Sequence, residues 1–184
     1  MAGQSAEIIS LMEAGQNGDR EAASRLLDRY KQDLWGYLVN HLPIREDAQD
    51  LYQEISLKVL GHLGEVRDPG RFRSWLFSIA LNAVRSFYRK RRPILDEERI
   101  AREPDRGDNH PHAVLERRER LRLLRRCMAL LGERDREVLL LDAMAELPQA
   151  DIAKQLDLNL NTVKTILRRA RIKLARLMTE GAHV

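Results

Sequence analysis

Between residues 93 and 112 the chain reads PILDEERIAREPDRGDNHPH, with Pro93, Pro104, Pro111 and Gly107 set among nine charged residues. Proline lacks an N–H and its ring collides with the preceding turn, so no continuous helix can cross this stretch. Little in it is apolar enough to pack. It reads as a flexible linker at 93–112, and it forces the fold into two halves, 1–92 and 113–184. Each half must bury a core of its own. With 43% hydrophobic residues that is feasible, and with 5% aromatics the cores are mainly aliphatic.

Both halves carry helical periodicity. Over 19–41, Ala22, Ala23, Leu26, Leu27, Tyr30, Leu34, Tyr37, Leu38 and His41 recur at three- and four-residue steps, which predicts one long helix with Asp19 as its N-cap. A second follows in REDAQDLYQEISLKVLGHLG, where Ala48, Leu51, Ile55, Val59 and Leu63 form one stripe and Gly64 is a stop signal. After a turn-like EVRDPGR comes a third, beginning at Phe72. The second half holds four candidate helices near 113–131, 134–145, 148–156 and 160–178. Alternating β patterns and Asn-Gly hairpin signals are absent. The predicted class is all-α, two small helical domains on a linker.

Charge separates the halves further. Lys and Arg exceed Asp and Glu by 14 to 12 in residues 1–92 and by 15 to 10 in 113–184, whereas the linker holds 3 against 6. Clustered cations, more than a high total, mark a nucleic-acid binder. No apolar run approaches the roughly 18 residues of a membrane span. The first residues lack a basic start and an apolar core, so no signal peptide is expected and the expected compartment is the cytoplasm. Lone Cys127 can form neither an internal disulfide nor a cysteine metal cluster. His110 and His112 lack a third ligand, and Asp96, Glu97 and Glu98 sit on the linker without a pocket. Phosphate-binding loops and nucleophile elbows are missing. Neither catalysis nor a cofactor or metal is expected.

Three stretches carry function. FRSWLFSIALNAVRSFYRKRR, residues 72–92, gathers all three phenylalanines, Trp75 and Tyr88 beside a purely cationic run. Two readings stand: an amphipathic core helix with a solvated basic end, or a surface that stacks bases on rings and neutralises phosphates. On the preceding helix Asp47, Asp50 and Glu54 share one acidic face, with no cation between Arg45 and Lys58. That face is either simply solvated, near a helix N-terminus that favours acids, or a docking surface for a basic partner. Finally, LPQADIAKQLDLNLNTVKTILRRARIKLARL reads as a short helix, a tight turn near 157–160 and a longer helix capped by Asn159 or Asn161. Ile152, Ala153 and Leu156 would pack on Val163, Leu167, Ala170 and Leu174. The second helix carries six cations and no acid from 161 to 178, as suits a helix entering the major groove.

Together these stretches resemble an extracytoplasmic-function sigma factor of the sigma-70 family. AQDLYQEIS at 48–56 stands where that family's region 2 has A-E-D-L-x-Q-E-x-F, and FRSWLFSIALN at 72–82 matches F-x-x-W-L-x-x-I-A-x-N. DIAKQLDLNLNTVKTILRRAR at 151–171 matches the region 4 signature. Ser56, Ser86, Gly132 and Ile166 depart from the usual residues at their positions.

The resemblance implies an all-α chain in which 1–92 is region 2 and 113–184 is region 4. It implies that Asp47, Asp50, Leu51, Gln53 and Glu54 dock on the clamp helices of the largest subunit of core RNA polymerase, with Ile55 adding to an apolar centre. Arg67, Asp68 and Arg71 would receive a flipped base of the −10 element, Asn82 would contact an unstacked base, and Arg85, Arg89 and Lys90 would follow the strand. Trp75 would be largely structural. Thr162, Lys164, Thr165, Arg168 and Arg169 would face the −35 duplex, and Arg171, Lys173 and Arg176 its phosphates. Ile166 has two open readings, edge packing or contact with a thymine methyl. The implied partners are core RNA polymerase, promoter DNA and an anti-sigma factor, without membrane insertion. The alternative is a sigma-like helix-turn-helix regulator that acts without core polymerase.

Overall fold

The computed structural model describes residues 2–42, 44–90 and 111–181. Among the described residues there are nine α-helices and no strand. They form two compact units, one centred on the helices before residue 95 and one on those after it. The linker's residues up to 110, with His110 and Asp96, Glu97 and Glu98, lie outside the described residues, as does the side chain of His112.

The first unit contains α1 (Ala2–Gln16), α2 (Arg20–Arg29), α3 (Lys31–His41), α4 (Arg45–His62) and α5 (Phe72–Lys90). Two single 3₁₀ turns, Leu63–Glu65 and Pro69–Arg71, lead from α4 into α5. Asp19 caps α2 as its sequence position predicts, its carboxylate accepting from the N–H groups of Glu21 and Ala22 at 2.9 and 3.0 Å. The single helix expected over 19–41 is broken at Tyr30, whose backbone (φ −100°, ψ 3°) ends α2 and opens α3. Both pieces bury their stripe in the same core, so the apolar spacing runs across the break without marking it. The core centres on Leu26, Leu34, Tyr37, Ile55, Phe72 and Phe77, all essentially inaccessible to solvent. Each such side chain contributes about 1.5–3 kcal/mol by leaving water.

α1 is an element the apolar spacing did not announce. It buries Met12 and lies close against α2, where a Cβ on Gly15 would come within 3.1 Å of the Ala23 Cβ.

The second unit contains α6 (Pro111–Ala129), α7 (Glu133–Ala143), α8 (Gln149–Leu156) and α9 (Leu160–Gly181). α6 begins at Pro111, inside the stretch read as linker. Proline is tolerated in a first helical turn because its missing N–H has no partner there anyway. α9 packs on α6, α7 and α8 through Val163, Ile166, Leu167 and Ala170, and Cys127 is buried with Met128 and Leu131 as core filler.

Candidate functional site

The turn between α8 and α9 is built by two caps. Asp157 takes the left-handed conformation (φ 52°), and the N–H groups of Asp157 and Leu158 return to the carbonyls of Lys154 and Ala153 at 3.4 and 2.8 Å. That pairing is the Schellman ending, here with aspartate where glycine is commoner. Two residues later Asn159 Oδ1 accepts from the Asn161 N–H at 2.8 Å and starts α9. Of the two candidate caps, Asn159 is the one used. Ile152, Ala153 and Leu156 on α8 are buried, as are Val163, Leu167 and Ala170 on α9, which gives the predicted helix-turn-helix, whereas Leu174, expected in the same seam, is only half-buried.

The outward face of α9 follows from its buried stripe. At 100° per residue, Asn161, Thr165, Arg168 and Ile172 lie opposite Val163, Ile166 and Ala170, with Lys164 beside them. All five are exposed, Ile172 at 61%. Thr162 is also exposed, nearer the flank, and Thr165 Oγ1 donates to the Asn161 carbonyl at 2.9 Å. Ile166, for which two readings stood open, is buried at 7% and packs within the unit.

The cations of this helix are not equivalent. Arg169 is bound through Nε to Asp135 Oδ2 at 3.2 Å and through Nη2 to Asp135 Oδ1. Those bonds stabilise the charged guanidinium and raise its pKa. Arg171 reaches Asp142 at 2.5 Å, Lys173 Nζ donates to the Leu130 carbonyl at 2.9 Å, and Arg176 pairs with Glu180 at 2.7 Å. Among the described residues Lys164 and Arg168 carry no ion pair. Arg171, Lys173 and Arg176, read from sequence as phosphate contacts, thus all have partners within their own chain.

In the first unit, Asp50, Gln53 and Glu54 are exposed on α4, and Glu54 pairs with Lys58 at 2.6 Å. Asp47 and Leu51 do not join that face. Asp47 is buried to 9% in the first turn of α4 and Leu51 to 5%, and Ile55 is fully buried, because the stripe Ala48–Leu51–Ile55–Val59 turns into the core. The exposed apolar residues of α4 are instead Leu57, at 71%, and Leu60, at 42%. With Glu46, Asp50 and Gln53 they form a stripe at four- and three-residue steps. Sequence reasoning missed them because a leucine beside a core stripe reads as core.

The turn before α5 projects Arg67, Asp68 and Arg71, all exposed. Asp68 accepts from the Gly70 N–H at 2.9 Å and pairs with Arg71 at 3.4 Å, which shapes the turn. Its base is held from α1, where Gln16 Nε2 donates to the carbonyls of Leu63 and Val66 at 3.1 and 2.7 Å. Gln16 braces this turn, and no motif flagged it.

On α5, Asn82, Arg85 and Arg89 share one exposed stripe, with Lys90 exposed at the helix end. Arg89 donates to Ser86 Oγ at 3.4 Å. Trp75 and Ser78 continue this stripe and are half-buried. Phe72 and Phe77 are fully buried, Phe72 against Tyr30 with ring centroids 5.3 Å apart, and the Tyr88 hydroxyl donates to the His41 carbonyl. Phe72 and Phe77 are therefore core, Trp75, Phe87 and Tyr88 are half-buried, and the polar stripe beside them is exposed.

This arrangement has close counterparts. Residues 26–94 match the family model for sigma-70 region 2, and residues 121–174 match that for sigma-70 region 4. The ECF RNA polymerase sigma factor BldN of Streptomyces coelicolor is 29% identical over 97% of this chain and 69% of its own length. The RNA polymerase sigma factor YlaC of Bacillus subtilis is 29% identical over 88% of this chain and 95% of its own. Among solved structures, CnrH in complex with the cytosolic domain of CnrY superposes with a TM-score of 0.68 at 26% identity, over 95% of this chain and 98% of CnrH. Both regions in order, with relatives that align across nearly all of the chain, lead to one conclusion: this chain is an RNA polymerase sigma factor of the sigma-70 family, in its extracytoplasmic-function group.

Proposed function

We propose that this chain works as an alternative sigma subunit whose two units divide the labour of initiation. Residues 1–92 act as region 2, which docks on core RNA polymerase and holds the unwound −10 strand. Residues 113–184 act as region 4, which reads the −35 duplex. The observation that carries this reading is the exposed stripe of Glu46, Asp50, Gln53, Leu57 and Leu60 on α4. A regulator that binds duplex DNA alone has no use for a mixed acidic and apolar face on a helix outside its helix-turn-helix. A basic protein partner with an apolar centre, such as the clamp helices of the largest polymerase subunit, does.

On this reading the −10 strand lies along α5. Arg67, Asp68 and Arg71 border the receptor for an extruded base, and Asn82 meets a neighbouring one. Arg85, Arg89 and Lys90 follow the phosphates. The binding energy of extruded bases offsets an unstacking cost of a few kcal/mol each, so melting draws on binding rather than on nucleotide hydrolysis. On α9, Thr162, Lys164, Thr165 and Arg168 face base edges, with Arg169 at the flank and Arg171 nearer the backbone. The site of action is the cytoplasm. Because CnrH was solved with a protein partner, an inhibitory anti-sigma protein belongs to the same proposal.

The test is transcription in vitro. Core polymerase with this chain, given fragments of the source genome, should begin transcripts at a small set of shared promoters, and Leu57→Glu should abolish those starts. Duplex binding by the chain alone, with no promoter-specific starts, would overturn the reading in favour of a stand-alone regulator.

A further inference from the structure

We propose that Asp135 is a positioning residue for promoter recognition: it holds Arg169 so that the free end of the guanidinium meets a guanine in the major groove. The inference rests on the reading that α9 enters that groove. Asp135 stands in the first turn of α7, a helix packed against α9, and its side chain is only 11% exposed. Both its oxygens are engaged by Arg169, Oδ2 by Nε at 3.2 Å and Oδ1 by Nη2. These bonds occupy one edge of the planar fork. Fixing one edge of a planar group fixes the direction of the other.

The remaining edge, Nη1 with Nη2, belongs to a side chain that is 61% exposed. That edge has the two-donor geometry that pairs with guanine O6 and N7. Arg168, by comparison, has no ion pair among the described residues and must be ordered when DNA binds. Arg169 is ordered beforehand. Pre-ordering one long side chain improves affinity by about 3- to 10-fold. A buried carboxylate near a DNA-facing helix would otherwise only repel phosphates, and the two roles predict opposite results.

The experiment uses the full chain with core polymerase and a duplex pool randomised over the upstream element. Wild type, Asp135→Asn, Arg169→Ala and the double variant each select from it, and each is then titrated against the wild-type choice and a scrambled duplex. Asp135→Asn is expected to lose preference at the same base pair as Arg169→Ala. It should lower the ratio of selected to scrambled affinity by about 3- to 10-fold, and change nothing further in the Arg169→Ala background. Retained binding to the scrambled duplex shows that the variant is folded. Asp135→Glu, which keeps the charge but moves the carboxylate, should show the same loss in smaller degree. Asp135→Asn that keeps the base preference, or tightens both duplexes alike, overturns the proposal and makes Asp135 a mere opponent of phosphates. A wild-type pool without any upstream preference overturns the reading of α9 itself, and this inference with it.

Discussion

α5 and α9 are two long basic helices of the molecule, and their cations are disposed differently. On α5 the last buried residue is Val84, and Arg85, Arg89 and Lys90 follow it. On α9 Lys164, Arg169 and Arg171 flank the buried stripe, while Arg168 lies opposite it. Flanking a packed stripe brings them within reach of the neighbouring helix, and α7 offers Asp135 and Asp142, two turns apart on one face. A run of positive charge thus means one thing at the end of a packed helix and another along it. Along it, some cations become struts of the domain and the rest are left to face a ligand.

This contrast can be broken in order of expected effect. Phe77→Ala on α5 removes a fully buried ring and should lower stability by about 3–5 kcal/mol in chemical denaturation. A variant that keeps its stability yet loses strand binding would instead return this ring to the DNA surface. Arg168→Ala on α9 should weaken binding to the preferred upstream duplex by about 1–3 kcal/mol, concentrated at one base pair. Lys173→Ala should leave the salt dependence of DNA binding unchanged, since its ammonium serves the Leu130 carbonyl; a slope shallower by about 0.9 would show that it meets a phosphate after all. Asn159→Ala should cost the second unit about 1 kcal/mol by removing the cap of α9, read as a lower melting temperature. Asp157→Gly should raise stability by about 0.5–1 kcal/mol, because glycine occupies φ 52° without steric cost.

Much of this was legible in the sequence because it is local. The Asp19 cap, the short helix, turn and long helix of 149–181, and the apolar stripes all depend on residues within a few positions of one another. What escaped depends on distant partners or on small rotations. The break at Tyr30 carries neither glycine nor proline, and its two helices share a core. Asp47 looked like part of an acidic face, yet it lies three residues from exposed Asp50, about 60° around the helix, and turns inward. Leu51 and Leu57 are the same residue type on the same helix, one 5% and the other 71% exposed, and only the placement of the surrounding helices tells them apart. The Arg169–Asp135 pair joins positions 34 residues apart, and Gln16 reaches 50 residues to Val66. No local pattern announces either.

The central claim is that one chain carries a polymerase-docking face on α4 and a DNA-reading face on α9. A competition titration tests it most directly: labelled chain against bacterial core RNA polymerase, with and without excess housekeeping sigma factor, for wild type, Asp50→Lys/Leu57→Glu and Arg168→Ala. Wild type is expected to bind tightly and to be displaced by the housekeeping factor. The α4 variant should lose at least tenfold in affinity, about 1.4 kcal/mol, and the α9 variant should bind core like wild type. Wild-type levels of core binding by the α4 variant, or no binding by wild type alongside tight binding to duplex DNA alone, would contradict it.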